Sequence, residues 1–351
     1  MPPAKTRQRL GFFTRLLDQA TPPERYRLAD EQIAHAEAFG FDAVWVAQHH
    51  FHEAEGGLPA PFVFLAHVAA RTSRIRLGTA IITLPLELPV RVAEDASVLD
   101  IMSGGRLEVG VAPGGNLSMY TAFGLDSKDR HTLMAHHLDI LRDAWAGRSL
   151  PGGDRLYPLN PGLADRIWQA TFSIEGAQRA GHAGDGLMLS RNQPRPHGPG
   201  RLSLDAIQNP LIDAYVEALP PGREPRILAS RTVFVADNRK EALRLCEAGI
   251  RGTGAQLAGV RRLPPGCSIE EAVHLLDIHT GSPEDVIASL KADTALARAT
   301  DWTVQVHSID PPHQHILRSI ELIAQIVAPA LGWQRAAASY NHNRRVLAAQ
   351  P

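Results

Sequence analysis

The sequence predicts an α/β protein folded as a (β/α)8 TIM barrel. Short apolar segments typical of strands alternate with amphipathic segments typical of helices, which indicates a parallel sheet. Eight such pairs fit within about 330 residues, and eight parallel βα units close into a barrel. The alternative is an open doubly wound sheet. No Gly-x-Gly-x-x-Gly motif follows a predicted strand, which disfavours that alternative.

The amino-terminal half contains well-marked elements. The motif Thr21-Pro22-Pro23-Glu24 combines a capping box with proline in the first turn, and it predicts a helix that ends near Gly40. The continuously apolar segment FDAVWVA is typical of a strand that helices cover on both faces. Strands are predicted at residues 10–14, 41–47, 75–83 and 106–112, and helices at 21–40, 60–71, 89–102 and 129–146.

The carboxyl-terminal half continues the alternation with one interruption. Strands are predicted at 167–171, 186–190, 226–236 and 302–307, and helices at 175–181, 204–219, 239–249, from 282 onward and at 310–331. Residues 250–281 are rich in glycine and proline, which predicts a late insertion. We expect one barrel domain at residues 1–335, followed by a polar tail at 336–351.

The composition narrows the class of protein. The formal net charge is -1, with 44% hydrophobic and 21% charged residues, which gives no reason to expect nucleic acid or a membrane surface as partner. Cys246 and Cys267 show no metal-binding spacing, so we expect no metal and a reducing compartment. The amino terminus is too charged for a signal peptide and no stretch is long enough to span a bilayer. These observations predict a cytoplasmic protein.

The second predicted strand ends in Gln48-His49-His50-Phe51-His52. Barrel enzymes carry their chemistry at the carboxyl ends of strands, so these imidazoles are candidates for acid–base catalysis or metal binding. A His-rich surface loop is the non-functional interpretation. We favour acid–base catalysis, because no partner motif such as His-Glu-x-x-His is present.

Small residues follow the third and fourth strands. Those at 78–80, which include Ala80, can let a flat ligand approach the backbone, or they can simply pack inside the barrel. Gly114 and Gly115, with Asn116 after them, can cradle a phosphate through backbone N–H groups or form an ordinary turn.

Further along the chain, hydroxyl groups precede a predicted helix start. Thr171 and Ser173 after the fifth strand can form an anion site with the free N–H groups of that helix, or Ser173 can be an ordinary N-cap. Arg130 begins the helix after the fourth strand. Its guanidinium can pair with a phosphate or remain solvated.

Taken in order, several segments resemble the bacterial-luciferase-like flavin-dependent monooxygenase family, most strongly over residues 8–190. The amino-terminal half and residues 317–332 are most similar to a subgroup described as FMN-dependent and luciferase-like. The matching segments are WVAQHHF at 45–51, IRLGTA at 75–80 with LP at 84–85, PVRVAED at 89–95 with LD at 99–100, SGGR at 103–106 with GV at 110–111, and GSPEDV at 281–286.

The resemblance implies a reaction and its partners. It implies a barrel with a late insertion that uses reduced FMN, supplied by a separate flavin reductase, and O2 to oxidise a small organic substrate. A homodimer is also implied. One branch of the family uses a deazaflavin, so an F420-dependent oxidoreductase is an alternative, and a non-catalytic flavin-binding protein is another.

The resemblance also implies roles for individual residues. His49 would be the catalytic histidine beside the flavin, and the Ala80–Ile81 peptide bond would be cis behind the flavin ring. Arg130 and Ser173 would help to hold the phosphate, and Ser190 and Arg191 would lie by the flavin edge. The expected cofactor-binding set is Ala80, Ile81, Gly114, Gly115, Asn116, Arg130, Thr171, Ser173, Ser190 and Arg191.

Two departures from the family pattern affect the site. Ala112-Pro113 stands where the luciferases have Cys-Arg, so a candidate phosphate ligand is missing. The backbone of Gly114 and Gly115 would then contribute more to phosphate binding. Gln48 replaces an acidic residue, so no carboxylate from that side raises the pKa of His49. Light emission is not implied. We expect the loops at 191–204 and 250–281 to set the specificity, and the second of them to close as a lid.

Overall fold

The computed structural model of the chain describes residues 7–195, 202–257, 263–306 and 310–336. Its centre is a sheet of parallel strands with helices between them. The strands are β1 (Arg9–Thr14), β2 (Ala43–Val46), β3 (Arg76–Thr79), β4 (Ile82–Thr83), β5 (Leu107–Ala112), β6 (Ile167–Ala170), β7 (Gly186–Leu189), β8 (Ile227–Val235), β9 (Ile278–Gly281) and β10 (Asp301–Gln305).

The sheet closes on itself through β10, which pairs in parallel with both β1 and β8. The other neighbours follow the order β1, β2, β3, β5, β6, β7, β8. Strand β4 pairs with the end of β5 and extends the line of β3, so these two short strands together form one side of the barrel. The described residues therefore form a closed eight-stranded barrel, which confirms the predicted fold class.

Helices surround the barrel. In the described residues they are α1 (Pro22–Ala38), α2 (Pro61–Arg71), α3 (Pro89–Ser103), α4 (Ser118–Ala122), α5 (Arg130–Trp145), α6 (Ile174–His182), α7 (Leu204–Glu217), α8 (Arg239–Leu257), α9 (Ile269–Leu275), α10 (Pro283–Lys291), α11 (His313–Leu322) and α12 (Ala328–Ala330). A π-helical turn at Ile323–Val327 joins the last two. No helix in these ranges combines the length and apolar character needed to cross a bilayer.

The late part of the chain holds more regular structure than the sequence predicted. Helix α8 packs against α9 and β9 and continues past its expected end at residue 249, despite the poor helix propensity of its glycines. The range 250–281 also contains α9 and β9, and β9 pairs with the second half of β8 outside the closed barrel. Parts of the predicted elements lie outside the described residues, namely 196–201, 258–262, 307 and the tail from 337.

The predicted capping box at the start of α1 is wrong. Helix α1 begins at Pro22 as expected, but the Thr21 side chain makes no capping hydrogen bond. The Glu24 carboxylate is instead held by the Arg27 guanidinium, at 2.7 and 2.9 Å, and so does not reach back to the cap. The start of α10 does contain a capping box, formed by Ser282 and Asp285.

Two of the motifs that resemble the family, LD at 99–100 and SGGR at 103–106, fasten helices to the barrel at the amino-terminal ends of its strands. The Asp100 carboxylate accepts from the Leu107 backbone N–H at 2.9 Å and pairs with both terminal nitrogens of Arg166, at 2.6 and 2.7 Å. The Arg106 guanidinium donates to the carbonyl oxygens of Ala69, Thr72 and Ile75. These motif residues therefore fasten α2 and α3 to their strands.

Two indoles fill the barrel interior. Trp45 and Trp168 meet edge to face, with ring centroids 5.7 Å apart. A Cβ added at Gly78 would overlap the Trp45 indole, and one at Gly186 would overlap Trp168. The interior packing therefore requires glycine at both positions. Of the two interpretations of the small residues at 78–80, packing inside the barrel is therefore the one that applies to Gly78.

Candidate active site

His49 lies where the sequence placed it, directly beyond the carboxyl end of β2. Its backbone N–H donates to the Leu58 carbonyl at 3.0 Å, so the loop folds back on itself and holds the imidazole in place. Burial, followed by the positive charge of Arg15, lowers the pKa of His49 to about 3. The imidazole is therefore uncharged at neutral pH.

A carboxylate that the sequence analysis missed lies beside this imidazole. Glu55 comes from the same loop, and its Oε2 lies 3.7 Å from Nδ1 of His49. The same oxygen accepts a hydrogen bond from Nδ2 of Asn116 at 2.9 Å. Glu55 thus links the loop after β2 to the loop after β5. The feature of the sequence that could have indicated this carboxylate was an acidic residue in a His-rich loop at a strand end.

The side chain of Asn116 is held by two residues of the neighbouring loops. Its amide nitrogen donates to Glu55, while its oxygen accepts from the backbone and hydroxyl of Ser118, at 3.1 and 2.7 Å. One N–H of the Asn116 amide has no hydrogen bond within the described residues, so Asn116 stays a predicted cofactor ligand. Gly114 has φ of 78° and lies against Thr83, whereas a Cβ at Gly115 would meet open space. Of these residues, Gly115 leaves its backbone most accessible.

The side chain of Gln48 holds the loop that carries His49 in place. Its Nε2 donates to Glu87 at 2.6 Å and to the Pro59 carbonyl at 3.2 Å, and its Oε1 accepts from the Thr83 backbone N–H at 2.7 Å. A neutral amide can donate and accept at once, which an acidic residue here could not do while ionised. The neighbours of Gln48 therefore supply partners for both ends of the amide that replaces the acidic residue of the family pattern.

His50 lies in an aromatic environment next to His49. Its ring centroid is 5.0 Å from that of Phe123 and 5.7 Å from that of Phe51, and the two phenyl rings are 5.8 Å apart. Burial lowers the pKa of His50, and its Nε2 is buried without a hydrogen-bond partner. Phe51 and Phe123 remain 68% and 40% exposed, so the site has an accessible apolar wall.

An apolar platform closes the barrel below the site. Phe13, Ala80, Ile81 and Ala170 are half-buried and pack on a core cluster that includes Trp45 and Trp168. The peptide bond between Ala80 and Ile81 is cis, as the family resemblance implied. All four residues come from the carboxyl ends of strands or directly follow them, so the platform faces the loops that carry His49.

The start of α6 has the form of an anion site. Ser173 is its N-cap, and its hydroxyl oxygen accepts from the Gly176 N–H at 3.1 Å. The Thr171 hydroxyl oxygen accepts from the Ser173 N–H at 3.1 Å, and a Cβ at Gly176 would overlap it. Ser173 is therefore an N-cap, and its hydroxyl also hydrogen-bonds the Glu175 carboxylate, whose pKa is lowered by the Glu175 backbone N–H and by this hydroxyl.

Arg130 lies at the start of α5, near α6. Burial lowers the pKa of His131, and the charges of Arg130 and Arg179 add to this effect. In the described residues the Arg130 guanidinium has one hydrogen bond, to the Ser127 carbonyl at 2.9 Å. The guanidinium therefore keeps donors available for an anion at this end of the site.

The two residues after β7 differ in accessibility. Arg191 is 9% exposed, and its guanidinium donates to the side chains of Gln305 and Thr232. The Ser190 hydroxyl oxygen accepts from the Asn192 N–H at 3.1 Å. Arg191 therefore braces the ends of β7, β8 and β10, and Ser190 is the more accessible of the two.

A family model described as luciferase-like monooxygenase matches residues 10–301. Protein y4vJ of Sinorhizobium fredii is 32% identical over 169 residues, which is 46% of this chain and 48% of y4vJ, so the chain spans about half the length of that relative. The 4-hydroxyprotoasukamycin monooxygenase of Streptomyces nodosus is 29% identical over 315 residues, 83% of each chain. The oxygenase component of the flavin-dependent trigonelline monooxygenase of Acinetobacter baylyi is 23% identical over 65% of this chain and 64% of its own.

Solved structures share the fold. Monooxygenase RslO1 of Streptomyces bottropensis superposes with a TM-score of 0.74 at 23% identity, over 92% of this chain and 99% of its own. The oxygenating constituent of 3,6-diketocamphane monooxygenase of Pseudomonas putida, in complex with FMN, has a TM-score of 0.70 at 20% identity, over 92% and 98%. An F420-dependent secondary alcohol dehydrogenase has 0.64 at 18%, over 93% and 99%. At these identities the likeness concerns the fold alone.

Proposed function

The chain belongs to the luciferase-like monooxygenase family of flavin-dependent enzymes, and we propose that it oxidises a small organic substrate with O2, using reduced FMN supplied by a separate flavin reductase. The relative from Acinetobacter baylyi is named as an oxygenase component, which supports a two-component system. By the same family resemblance we propose a homodimer.

The observation that carries this proposal is the uncharged, largely buried imidazole of His49 at the carboxyl end of the barrel. An imidazole that is neutral at pH 7 has a ring nitrogen free to accept a hydrogen bond or a proton from a bound molecule, and because a pKa of about 3 makes it a weak base, any proton it accepts is returned at once. Burial first, then Arg15, keep it in this state. We assign His49 as the catalytic acid–base residue.

The surrounding residues fit a flavin nucleotide at its two ends. The platform of Phe13, Ala80, Ile81 and Ala170 offers an apolar surface for a flat ring. Arg130, Thr171 and Ser173 offer a guanidinium, two hydroxyl groups and a helix amino terminus for a phosphate. Of the remaining predicted ligands, we keep the backbone of Gly114 and Gly115, Asn116 and Ser190, and we assign Arg191 to bracing the loops.

Bound reduced flavin would supply the electrons that activate O2. The protein's own part is then to orient the ring on the platform, to hold the phosphate, to exclude water with Phe51 and Phe123, and to move a proton at the His49 imidazole.

The test combines binding and turnover. FMN and F420 are titrated by calorimetry, and oxygen consumption is then followed with reduced FMN and a panel of aldehydes, sulfonates and amines. We expect FMN binding and substrate-dependent oxygen uptake. His49→Ala should lower turnover about 10²–10⁴-fold with little change in the dissociation constant for FMN, while His52→Ala, in the same loop, should leave both unchanged.

Three results would contradict the proposal. Tight F420 binding without FMN binding would indicate the deazaflavin branch. Tight binding of oxidised FMN with no substrate-dependent oxygen uptake would indicate a flavin-binding protein. Equal losses of turnover and FMN affinity in His49→Ala would assign His49 to binding.

A further inference from the structure

Arg15 is a cation of the site whose only part in the proposed reaction so far is to help keep His49 uncharged. It directly follows β1, and its Nη2 donates to the Glu55 carbonyl in the loop that carries His49. A Cβ at Gly56 would lie 2.7 Å from Cδ2 of His49 and 3.0 Å from the Arg15 carbonyl oxygen. Arg15 and His49 therefore flank the same glycine. The placement of Arg15 after a strand was the signal that sequence analysis passed over.

The guanidinium of Arg15 is buried without a counter-ion in direct contact. Its Nε has no hydrogen-bond partner. In the described residues its one hydrogen bond goes to a neutral carbonyl, and it forms no ion pair. Burial lowers the pKa of Arg15 and outweighs the more distant carboxylates of Glu55 and Asp310. A buried charge is stable only when paired, so this position favours an anion.

Another buried arginine of this chain has its guanidinium paired with a carboxylate. Arg231 is fully buried, and its Nε and Nη2 contact both oxygens of Asp293, at 2.5 and 3.1 Å. That two-point contact matches the planar fork of a guanidinium to a carboxylate. The Arg15 guanidinium has the same planar arrangement of donors. No carboxylate in the described part of the chain pairs with it, although Arg15 lies at the accessible end of the barrel.

The other neighbours of the histidine pair are apolar. Phe51 and Phe123 contact the His50 ring and each other, and both are substantially exposed. Exposed aromatic rings in contact over a catalytic loop offer a surface for an apolar group. Arg15 and this pair of phenyl rings therefore both contact the loop that carries His49, one as a cation unpaired within the described residues and the other as an exposed apolar surface.

Building on the flavin-dependent oxygenase function proposed above, we propose that the substrate is an organic acid with an apolar body, whose carboxylate pairs with the Arg15 guanidinium. The carboxylate accepts from the guanidinium N–H groups of Arg15, while the apolar body lies against Phe51 and Phe123. Arg15 is then the residue that selects acids over neutral analogues.

The experiment compares acids with alcohols of matching shape on the FMN-loaded protein. Dissociation constants are measured by calorimetry for benzoate against benzyl alcohol, and for hexanoate against hexanol. We expect the wild-type protein to bind each acid at least about tenfold more tightly than its alcohol, since a charge-assisted pair contributes that much. Arg15→Gln should abolish this preference and Arg15→Lys should keep part of it. Arg148→Gln, an exposed arginine paired with Asp143, should keep all of it.

The preference for acids separates ligand recognition from a structural role. If Arg15 only fastens the loop through Glu55, Arg15→Gln lowers the melting temperature but leaves the acid-to-alcohol ratio unchanged, and the proposal is wrong. It is also wrong if acids and alcohols bind the wild-type protein equally, or if Arg15→Gln weakens FMN more than benzoate. Substrate-dependent oxygen uptake with no acid preference overturns this inference alone. Acid preference without oxygen uptake overturns the proposed oxygenase function alone.

Discussion

Nδ1 of His49 lies 3.7 Å from Oε2 of Glu55, across the turn of the loop that follows β2. This distance is too long for a hydrogen bond, so the carboxylate does not hold a proton on the imidazole. Burial is the dominant cause of the low pKa of His49, and the charge of Arg15 adds to it. The loop therefore presents an uncharged base between a cation and an anion.

The first prediction concerns the pH dependence of stability. The pKa of His49 is about 3 in the folded protein against an ordinary value of 6.5. Between these values the unfolded chain binds a proton that the folded chain does not, so stability is fully present above pH 6.5 and is lost as the pH falls. Urea unfolding from about pH 4 to 6 should show a slope up to about 1.4 kcal/mol per pH unit steeper in wild type than in His49→Gln. His52→Gln, an exposed control in the same loop, should keep the wild-type slope, and equal slopes in all three proteins would contradict the prediction.

The second prediction concerns Gln48, whose amide is 2.6 Å from the Glu87 carboxylate. Gln48→Glu would place two carboxylates together in a buried position, at a cost of about 2–4 kcal/mol in the free energy of unfolding at pH 8. Like charges raise the pKa of the pair, so the loss should shrink as the pH falls toward 5. Urea unfolding at both pH values measures this. Gln48→Glu combined with Glu87→Gln should recover most of the stability, and a loss that neither low pH nor the second substitution relieves would show that repulsion is not its cause.

The third prediction concerns the phosphate ligands, and it uses riboflavin, which lacks the phosphate of FMN. Ser173→Ala and Arg130→Gln should each raise the dissociation constant for FMN about tenfold, because each removes a hydrogen bond to a charged group. Riboflavin affinity should change little. Ser268→Ala, which removes the N-cap of α9, is the matched control. Fluorescence titration gives both constants, and parallel losses for FMN and riboflavin would show that these residues do not hold the phosphate.

The fourth prediction concerns the buried pair of Arg231 and Asp293. Arg231→Met should lower the free energy of unfolding by about 3–5 kcal/mol, because it leaves the Asp293 carboxylate buried and unpaired. Arg231→Met combined with Asp293→Leu should recover most of that loss. Denaturant unfolding of the three proteins measures both effects, and an additive double variant would rule out direct coupling between the two side chains.

Much of the fold was predictable because its elements are local. Apolar runs and helical periodicity depend on neighbouring residues, so the eight barrel strands were placed within two residues of their observed ends, with β3 and β4 taken together as one strand. The elements missed, α4, α9 and β9, are short and weakly patterned. Strand β9 pairs with the part of β8 that extends beyond the barrel, a contact between distant segments that local patterns do not reveal.

The sequence by itself determined the barrel, the face that carries the site and the position of His49 on it, because strand ends can be read from local patterns. Only the tertiary structure decided the environment of His49. Glu55 and Asn116 are 61 residues apart in the chain and meet across two loops, and the burial of Arg15 depends on the same loop folding over it. Charge, burial and pairing depend on contacts between distant segments, so the protonation state of the site is a property of the folded molecule.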